Sequence, residues 1–217
     1  MPQRPSLRWR ALRFVKAKGE DTHVSALVIG LGNPGPEYAD TRHNIGQMVI
    51  DELARRGGSS LSANRKVNAR AAQVRIGGIG PAGVSATIAT PSSYMNVSGG
   101  PVSALAKYLS VEPTAVVVVH DELDIPFGTI KLKRGGGSGG HNGLKDITKA
   151  LGTPDYVRVR VGIGRPPGRM DAATYVLRPF GTTERKELPM LISDGADAVE
   201  AIVTEGLEAA QLRFHTK

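Results

Sequence analysis

Val116 to Val119 form an unbroken run of valines. A strand with one wet face would alternate apolar and polar residues, so an all-apolar run predicts a strand covered on both faces. Further strand-like runs are ALVIG (26 to 30), ARAAQVRI (69 to 76), VSATIAT (84 to 90), TIKLK (129 to 133) and YVRVRVGI (156 to 163), with the valine run itself extending over AVVVVH (115 to 120). Helical periods separate them: Ile45, Met48, Val49 and Leu53, then Val102, Leu105, Ala106 and Leu109, then Leu144, Ile147, Thr148 and Leu151. Toward the end, Leu191, Ile192, Ala196, Val199, Ile202, Val203 and Leu207 read as one or two more amphipathic helices. Strands alternating with helices predict an α/β fold around a central sheet. That sheet should be mixed, because some neighbouring strands are joined by connections too short to hold a helix.

A chain of 217 residues suits one domain with room for a real core. No stretch has the apolar length needed to cross a bilayer. Lys and Arg number 28 against 20 Asp and Glu, a net charge of +8, which favours a polyanionic partner such as nucleic acid. There is no cysteine, so disulfides, thiol catalysis and thiolate metal sites are excluded. Residues 1–25 differ from the rest: Arg4, Arg8, Arg10, Arg13, Lys16 and Lys18 precede the first acid, Glu20. Such an opening is compatible with an organelle transit peptide, but it has no secretory apolar segment and few serines. A basic extension or an upstream start codon is the preferred reading, with residues 26–217 as the folded domain.

Two short motifs invite readings that their context opposes. GLGNPG (30 to 35) satisfies the dinucleotide pattern, yet that motif needs a helix to start within the glycines, and Pro34 and Pro36 push Asn33 and Gly35 away from helical geometry. The acids some twenty residues on, Asp51 and Glu52, fall inside a helical pattern and not at a strand end. A rigid Asn-Pro-Gly turn presenting the Asn33 amide fits better. Ser138, in GGSGG, lacks the strained strand-to-helix turn of a nucleophile elbow and is read as a loop residue.

Residues 120 to 144, HDELDIPFGTIKLKRGGGSGGHNGL, carry the densest chemistry. Gly135 to Gly140 holds five glycines in six positions, improbable as mere connection unless the backbone moves or lies against a ligand. Lys131 and Lys133, two apart on a strand, put both ammonium groups on one face, so that ligand should be anionic. His43 lies just before the first helical pattern, and Asp121 ends the most buried strand. Both fall at a sheet edge, where the carboxylate can hold the imidazole in one tautomer and the pair can activate water. His120 and His141, taken singly, read as structural. Asn33, Asn44, Asn96 and Asn142 sit in turns or at helix starts, as caps or as uncharged donors for a developing oxyanion.

GLGNPGPEYADTRHNIG, PSSYMNVSG, HDELDIPFG and GGGSGGHNGLKDI, in that order, resemble the bacterial-type peptidyl-tRNA hydrolases from about Ala26 to Leu212. The resemblance implies a single globule with a twisted mixed sheet between helices. It implies hydrolysis of the ester between peptide and tRNA, with no metal or other cofactor, by a cytoplasmic monomer, or an organellar one if the leader is a transit peptide. By that resemblance His43 is the base, Asp121 orients it, and Asn96 lies near the attacked carbonyl. Asn33, Asn96 and Asn142 contact substrate, Tyr38 and Met95 line the peptide cleft, and Asn44 follows the catalytic histidine. Lys133 and Arg160, with Lys131 alongside, clamp the tRNA phosphate, and His141 with Asn142 closes a mobile glycine loop. The basic leader and the Gly77 to Gly83 turn depart from the pattern. Two other readings are an RNA-binding, splicing-factor-like relative without hydrolysis and a dinucleotide enzyme resting on GLGNPG.

Overall fold

A computed structural model describes residues 26–78 and 83–215; the 1–25 extension and positions 79–82 of the Gly77 to Gly83 turn lie outside the described residues. The strands are β1 (Ala26–Gly30), β2 (Ser62–Asn64), β3 (Ala69–Ile76), β4 (Val84–Pro91), β5 (Val116–Glu122), β6 (Ile130–Arg134) and β7 (Val157–Gly162). The helices are α1 (Ile45–Arg56), α2 (Gly99–Leu109), α3 (Asn142–Leu151), α4 (Ala172–Val176), α5 (Thr182–Glu205) and α6 (Leu207–His215).

The strands form one seven-stranded sheet in the order β2-β3-β4-β1-β5-β7-β6. Its middle, β4-β1-β5-β7, is parallel, while β2 and β3 on one side and β6 on the other run antiparallel to their neighbours. The mixed sheet expected from the short connections is present. Along β1 and β5 the residues divide between two cores as a period of two requires. Val28, Val117 and Val119 pack with α1 and α5, whereas Leu27, Ile29, Val116 and Val118 pack with α2 and α3. The valine run is therefore roofed on both faces, which makes the molecule three layers deep.

Two glycines of the opening motif allow close packing of α1. A Cβ on Gly30 would stand 2.2 Å from the Gly46 carbonyl oxygen, and one on Gly46 would stand 2.3 Å from that of Val119. No helix begins within GLGNPG; its chain turns through Gly35 at φ 109° and reaches α1 only at Ile45. The terminal helical pattern splits in two at Gly206, where φ is 89°.

The outer edge of β6 is covered by α6. The Leu132 N–H donates to His215 Nε2 at 2.9 Å, and the Leu132 carbonyl accepts from Gln211 Nε2 at 3.0 Å. Two side chains thus stand where another strand would sit. Among the described residues no helix is long and apolar enough to cross a membrane.

Candidate active site

β1 is the switch point of the sheet: the chain leaves it to build β4 on one side and returns through α2 to build β5 on the other. In such sheets the crevice at the carboxyl ends of the strands receives ligands. A cleft of about 600 Å³ opens there. Its walls come from the turn after β1 (Asn33, His43), the turn after β4 (Tyr94, Met95, Asn96), the end of β5 (Asp121, Glu122, Leu123), the glycine loop into α3 (Ser138 to Asn142), and α4 (Asp171 to Ala173, Val176, Leu177).

Asp121 stands at the centre with one oxygen shared by two imidazoles. His43 Nδ1 lies 2.8 Å and His141 Nε2 3.0 Å from its Oδ1. His141 caps α3, and its Nδ1 accepts the Leu144 N–H. That places the His141 proton on Nε2, facing the carboxylate. Burial opposes charge on Asp121, but the two imidazoles outweigh it and hold the carboxyl far below the usual range. Against an ionised Asp121, neutral His43 keeps its proton on Nδ1, and its Nε2, without a partner among the described residues, remains the ring's free lone pair. The structure brings His43 and Asp121 into contact. The direct contact of His141 with the same oxygen was not expected from its position in a loop.

His120 backs this group from the core. Its ring lies edge-on to His141 at 5.1 Å, and its Nδ1 donates to the Asp121 carbonyl oxygen at 2.7 Å. Burial, reinforced by His141 and Arg158 against the opposing pull of Asp121, pushes its pKa down to about 3, so it is neutral.

The amides divide into scaffold and cleft. Asn44 is 1% exposed and fully engaged: its Oδ1 accepts the Asn33 N–H and its Nδ2 donates to the Asn33 carbonyl, both at 2.9 Å. Asn44 does not line the cleft, and its part is to hold Asn33. Asn33 Oδ1 in turn accepts the Met95 N–H at 2.8 Å, tying the turns after β1 and β4 together. Its Nδ2 has no partner among the described residues. Asn96 and Asn142 are exposed and line the cleft. Tyr38 stands behind the rim, its ring edge-on to Tyr94 at 6.3 Å, and Tyr94 itself forms the wall.

Sequence reasoning missed α4, five residues and too short for a period to show, though Asp171 caps it by accepting the Thr174 N–H. It also missed Arg42, whose guanidinium holds this wall beside the histidine. Arg42 Nη1 donates to the carbonyls of Tyr175, Arg178 and Pro179, Nη2 pairs with Glu184 at 2.6 Å, and its charge lies 4.1 Å over the Tyr175 ring. A buried, polydentate arginine one residue before His43 fixes the short 3-10 turn, Arg42–Asn44, that carries the imidazole.

Beside the cleft, β6 and β7 place Lys131 opposite Arg160 and Lys133 opposite Arg158. Like charges paired across strands repel, so this face favours an anion. Arg160 is not wholly free, since its Nε donates to Glu122 at 2.9 Å. Lys131 and Lys133 form no ion pair among the described residues.

The nitrogens and oxygen of His43, Asp121 and His141 lie within 4.8 Å of one another, close enough to suggest a metal. The tautomer set by Leu144 argues otherwise, because it leaves His141 Nε2 a donor with no lone pair to offer. What remains is an imidazole with a nitrogen free of partners among the described residues, in a cleft, backed by a buried carboxylate and flanked by uncharged amides. That defines an α/β enzyme equipped for general-base chemistry. The sequence profile of the peptidyl-tRNA hydrolase family matches residues 27–217, and the chain belongs to that family. It is 62% identical over 190 residues to the peptidyl-tRNA hydrolase of Arthrobacter sp. strain FB24, covering 88% of this chain and 96% of that one. Against the Kineococcus radiotolerans peptidyl-tRNA hydrolase it is 60% identical over 192 residues, covering 87% and 96%. The crystal structure of the Acinetobacter baumannii peptidyl-tRNA hydrolase superposes with a TM-score of 0.79 at 35% identity, covering 90% of this chain and 97% of that one.

Proposed function

We propose that in the hydrolysis of peptidyl-tRNA, the activity that this family membership gives the chain, His43 is the general base. Its Nε2 removes a proton from water, the water oxygen attacks the ester carbonyl carbon, and Asp121 stabilises the imidazolium that results. Collapse of the tetrahedral intermediate breaks the bond to the ribose oxygen, which leaves with the proton held by His43. The products are tRNA and the peptide, whose new carboxylic acid loses its proton to water. Asn96 donates to the developing oxyanion, and Asn33 Nδ2 and Asn142 hold the peptide. Met95, at the foot of the cleft, and Tyr38, through Tyr94, shape the peptide's channel.

Lys131, Lys133 and the terminal nitrogens of Arg160 take phosphate near the acceptor end of the tRNA, where exposed charge gives an affinity that falls with salt. The enzyme acts as a cytoplasmic monomer, rescuing tRNA from aborted translation. The observation that carries this reading is the His43 Nδ1 contact with a buried carboxylate whose ionised form two imidazoles favour, with His43 Nε2 left free of partners among the described residues.

The RNA-binding reading without hydrolysis finds no support, since the relatives at about this identity are named hydrolases. The GLGNPG glycines serve helix packing and a turn, which leaves a dinucleotide without its site. The test is to incubate the protein with a peptidyl-tRNA and with the matching aminoacyl-tRNA whose amine is free. Release of tRNA from the first and not the second is the expected result; equal hydrolysis of both would remove the selectivity for blocked substrates.

A further inference from the structure

Arg158 belongs by position to the basic face of β6 and β7, yet its geometry separates it from Lys131, Lys133 and Arg160. It is 3% exposed and has no carboxylate partner among the described residues. Its Nη1 donates to the Gly137 carbonyl at 2.7 Å and its Nη2 to the Gly136 carbonyl at 2.6 Å. The guanidinium carbon lies 4.9 Å over the ring of Tyr156. Tyr156 is also buried: its carbonyl accepts the Gly135 N–H at 3.0 Å, and its hydroxyl donates to the Leu144 carbonyl in α3 at 3.3 Å.

Arg158 in β7 and Tyr156 just before it therefore grip the start of the glycine loop and the helix at its end. Between these grips Gly135, Gly136, Gly139 and Gly140 all have positive φ, and the loop runs straight into His141 on Asp121. A buried cation without a counter-charge is expensive, and it is tolerated here because two carbonyl dipoles face it. Only the planar fork of arginine matches two adjacent carbonyls; an ammonium does not.

We propose that Arg158 is a positioning residue for the hydrolysis: by holding the Gly136 and Gly137 carbonyls on β7, it keeps the glycine loop in the place that seats His141 against Asp121 Oδ1. Its charge serves the loop and not the tRNA. The proposal rests on the reading of His43, Asp121 and His141 as the catalytic group, and it assigns Arg158 an effect on rate that a phosphate contact would not have.

The test is Arg158→Lys, which keeps the charge and removes the fork. Three results are expected: kcat falls on the order of 10-fold, since small misplacements of catalytic groups carry penalties of that size or more. The salt dependence of KM stays at its wild-type slope. Deuterium exchange of the His141 amide, which donates to the Ser138 carbonyl at 3.0 Å inside the loop, becomes faster. Lys133→Ala provides the contrast, because loss of one phosphate contact lowers the slope of log K against log salt by about 0.7 to 0.9.

A wild-type kcat in folded Arg158→Lys, or a slope reduced as in Lys133→Ala, overturns the proposal. Arg158→Gln, which keeps a neutral donor for one carbonyl, is read by the same three measurements if the lysine variant does not fold. Failure of the catalytic reading itself would show separately, as a wild-type rate in His43→Ala, and would leave the exchange result for Arg158 standing.

Discussion

One oxygen of Asp121 accepts two imidazole N–H groups, so the three side chains form a unit whose members are unequal. Of the two imidazoles, only that of His43 has its second nitrogen without a partner among the described residues. His43→Ala should therefore lower kcat by roughly 10² to 10⁴-fold, the usual contribution of a general base, with tRNA affinity retained. Single-turnover rates and filter binding on the same preparation check both halves of that expectation. Asp121→Asn should lose less, because it weakens support for the base without removing it.

His120 carries a separate prediction, about stability. Folded His120 stays neutral down to about pH 3, whereas in the unfolded chain it takes up a proton near the ordinary histidine value of 6.5. Between those values the unfolded state binds the extra proton, so folding stability from this residue rises with pH across that window and is level above it. The slope approaches about 1.4 kcal/mol per pH unit for one proton. Urea unfolding at pH 5 and pH 7 should show a smaller pH difference in His120→Asn, whose amide can still donate to the Asp121 carbonyl. Asp121 acts in a different window: its depressed carboxyl supports folding above the unfolded value of 3.8, and that support is lost only as pH falls below it.

At the scale of elements, the glycine loop is held by Arg158 at its start and by the α3 cap at its end, and the strain of substitution depends on position. Gly139→Ala meets open space at φ 58°, a left-handed conformation costing an alanine roughly 1 to 2 kcal/mol. Gly136→Ala, at φ 90°, would also bring its Cβ to 2.8 Å from the Lys133 ammonium. Steady-state kinetics should show kcat and KM changing together in Gly139→Ala, as for a gating segment. The salt dependence of KM should change in Gly136→Ala alone. Unchanged kinetics in both would make the loop a passive connector.

How much of these elements the sequence announces follows from their length and chemistry. Six strands lie within two residues of the strand-like runs, because alternating or wholly apolar stretches of that length pack readily into a sheet. β2 is three residues, Ser62–Asn64, with none of that signature, and it exists because β3 offers it an edge. α4 is too short for periodicity. The candidacy of His43 and Asp121 was legible because both fall where the sheet's parallel strands finish, though not that they meet. The third histidine, the Arg42 brace and the engagement of Asn44 were not, since each depends on contacts that no spacing along the chain reveals. Arg42 meets Glu184 across 142 positions.

For the molecule as a whole, the sheet has two edges, and the one at β6 lies next to the basic face of Lys131, Lys133 and Arg160. The Gln211 and His215 contacts keep it from pairing with another chain. Deleting α6 should open the Leu132 N–H and carbonyl to a second copy, and an exposed edge of this kind is a template for association. Size-exclusion chromatography with light scattering should then show dimers or larger species, increasing with concentration. A truncated protein with the same association state as the full chain would mean that charge on β6 suffices to protect it. Burial, with Lys131 and Arg160 adding repulsion, lowers the affinity of His215 for a proton, which keeps its Nε2 an acceptor for the Leu132 N–H.

The α6 seal also bears on how the protein should be handled at the bench. Among the described residues its last hydrogen bond is made by His215, so a purification handle fused at the carboxyl terminus would pull on the seal. Preparations tagged at the two ends are therefore not interchangeable. Where they disagree in tRNA affinity or aggregate size, the version with an unburdened carboxyl terminus is the one to believe.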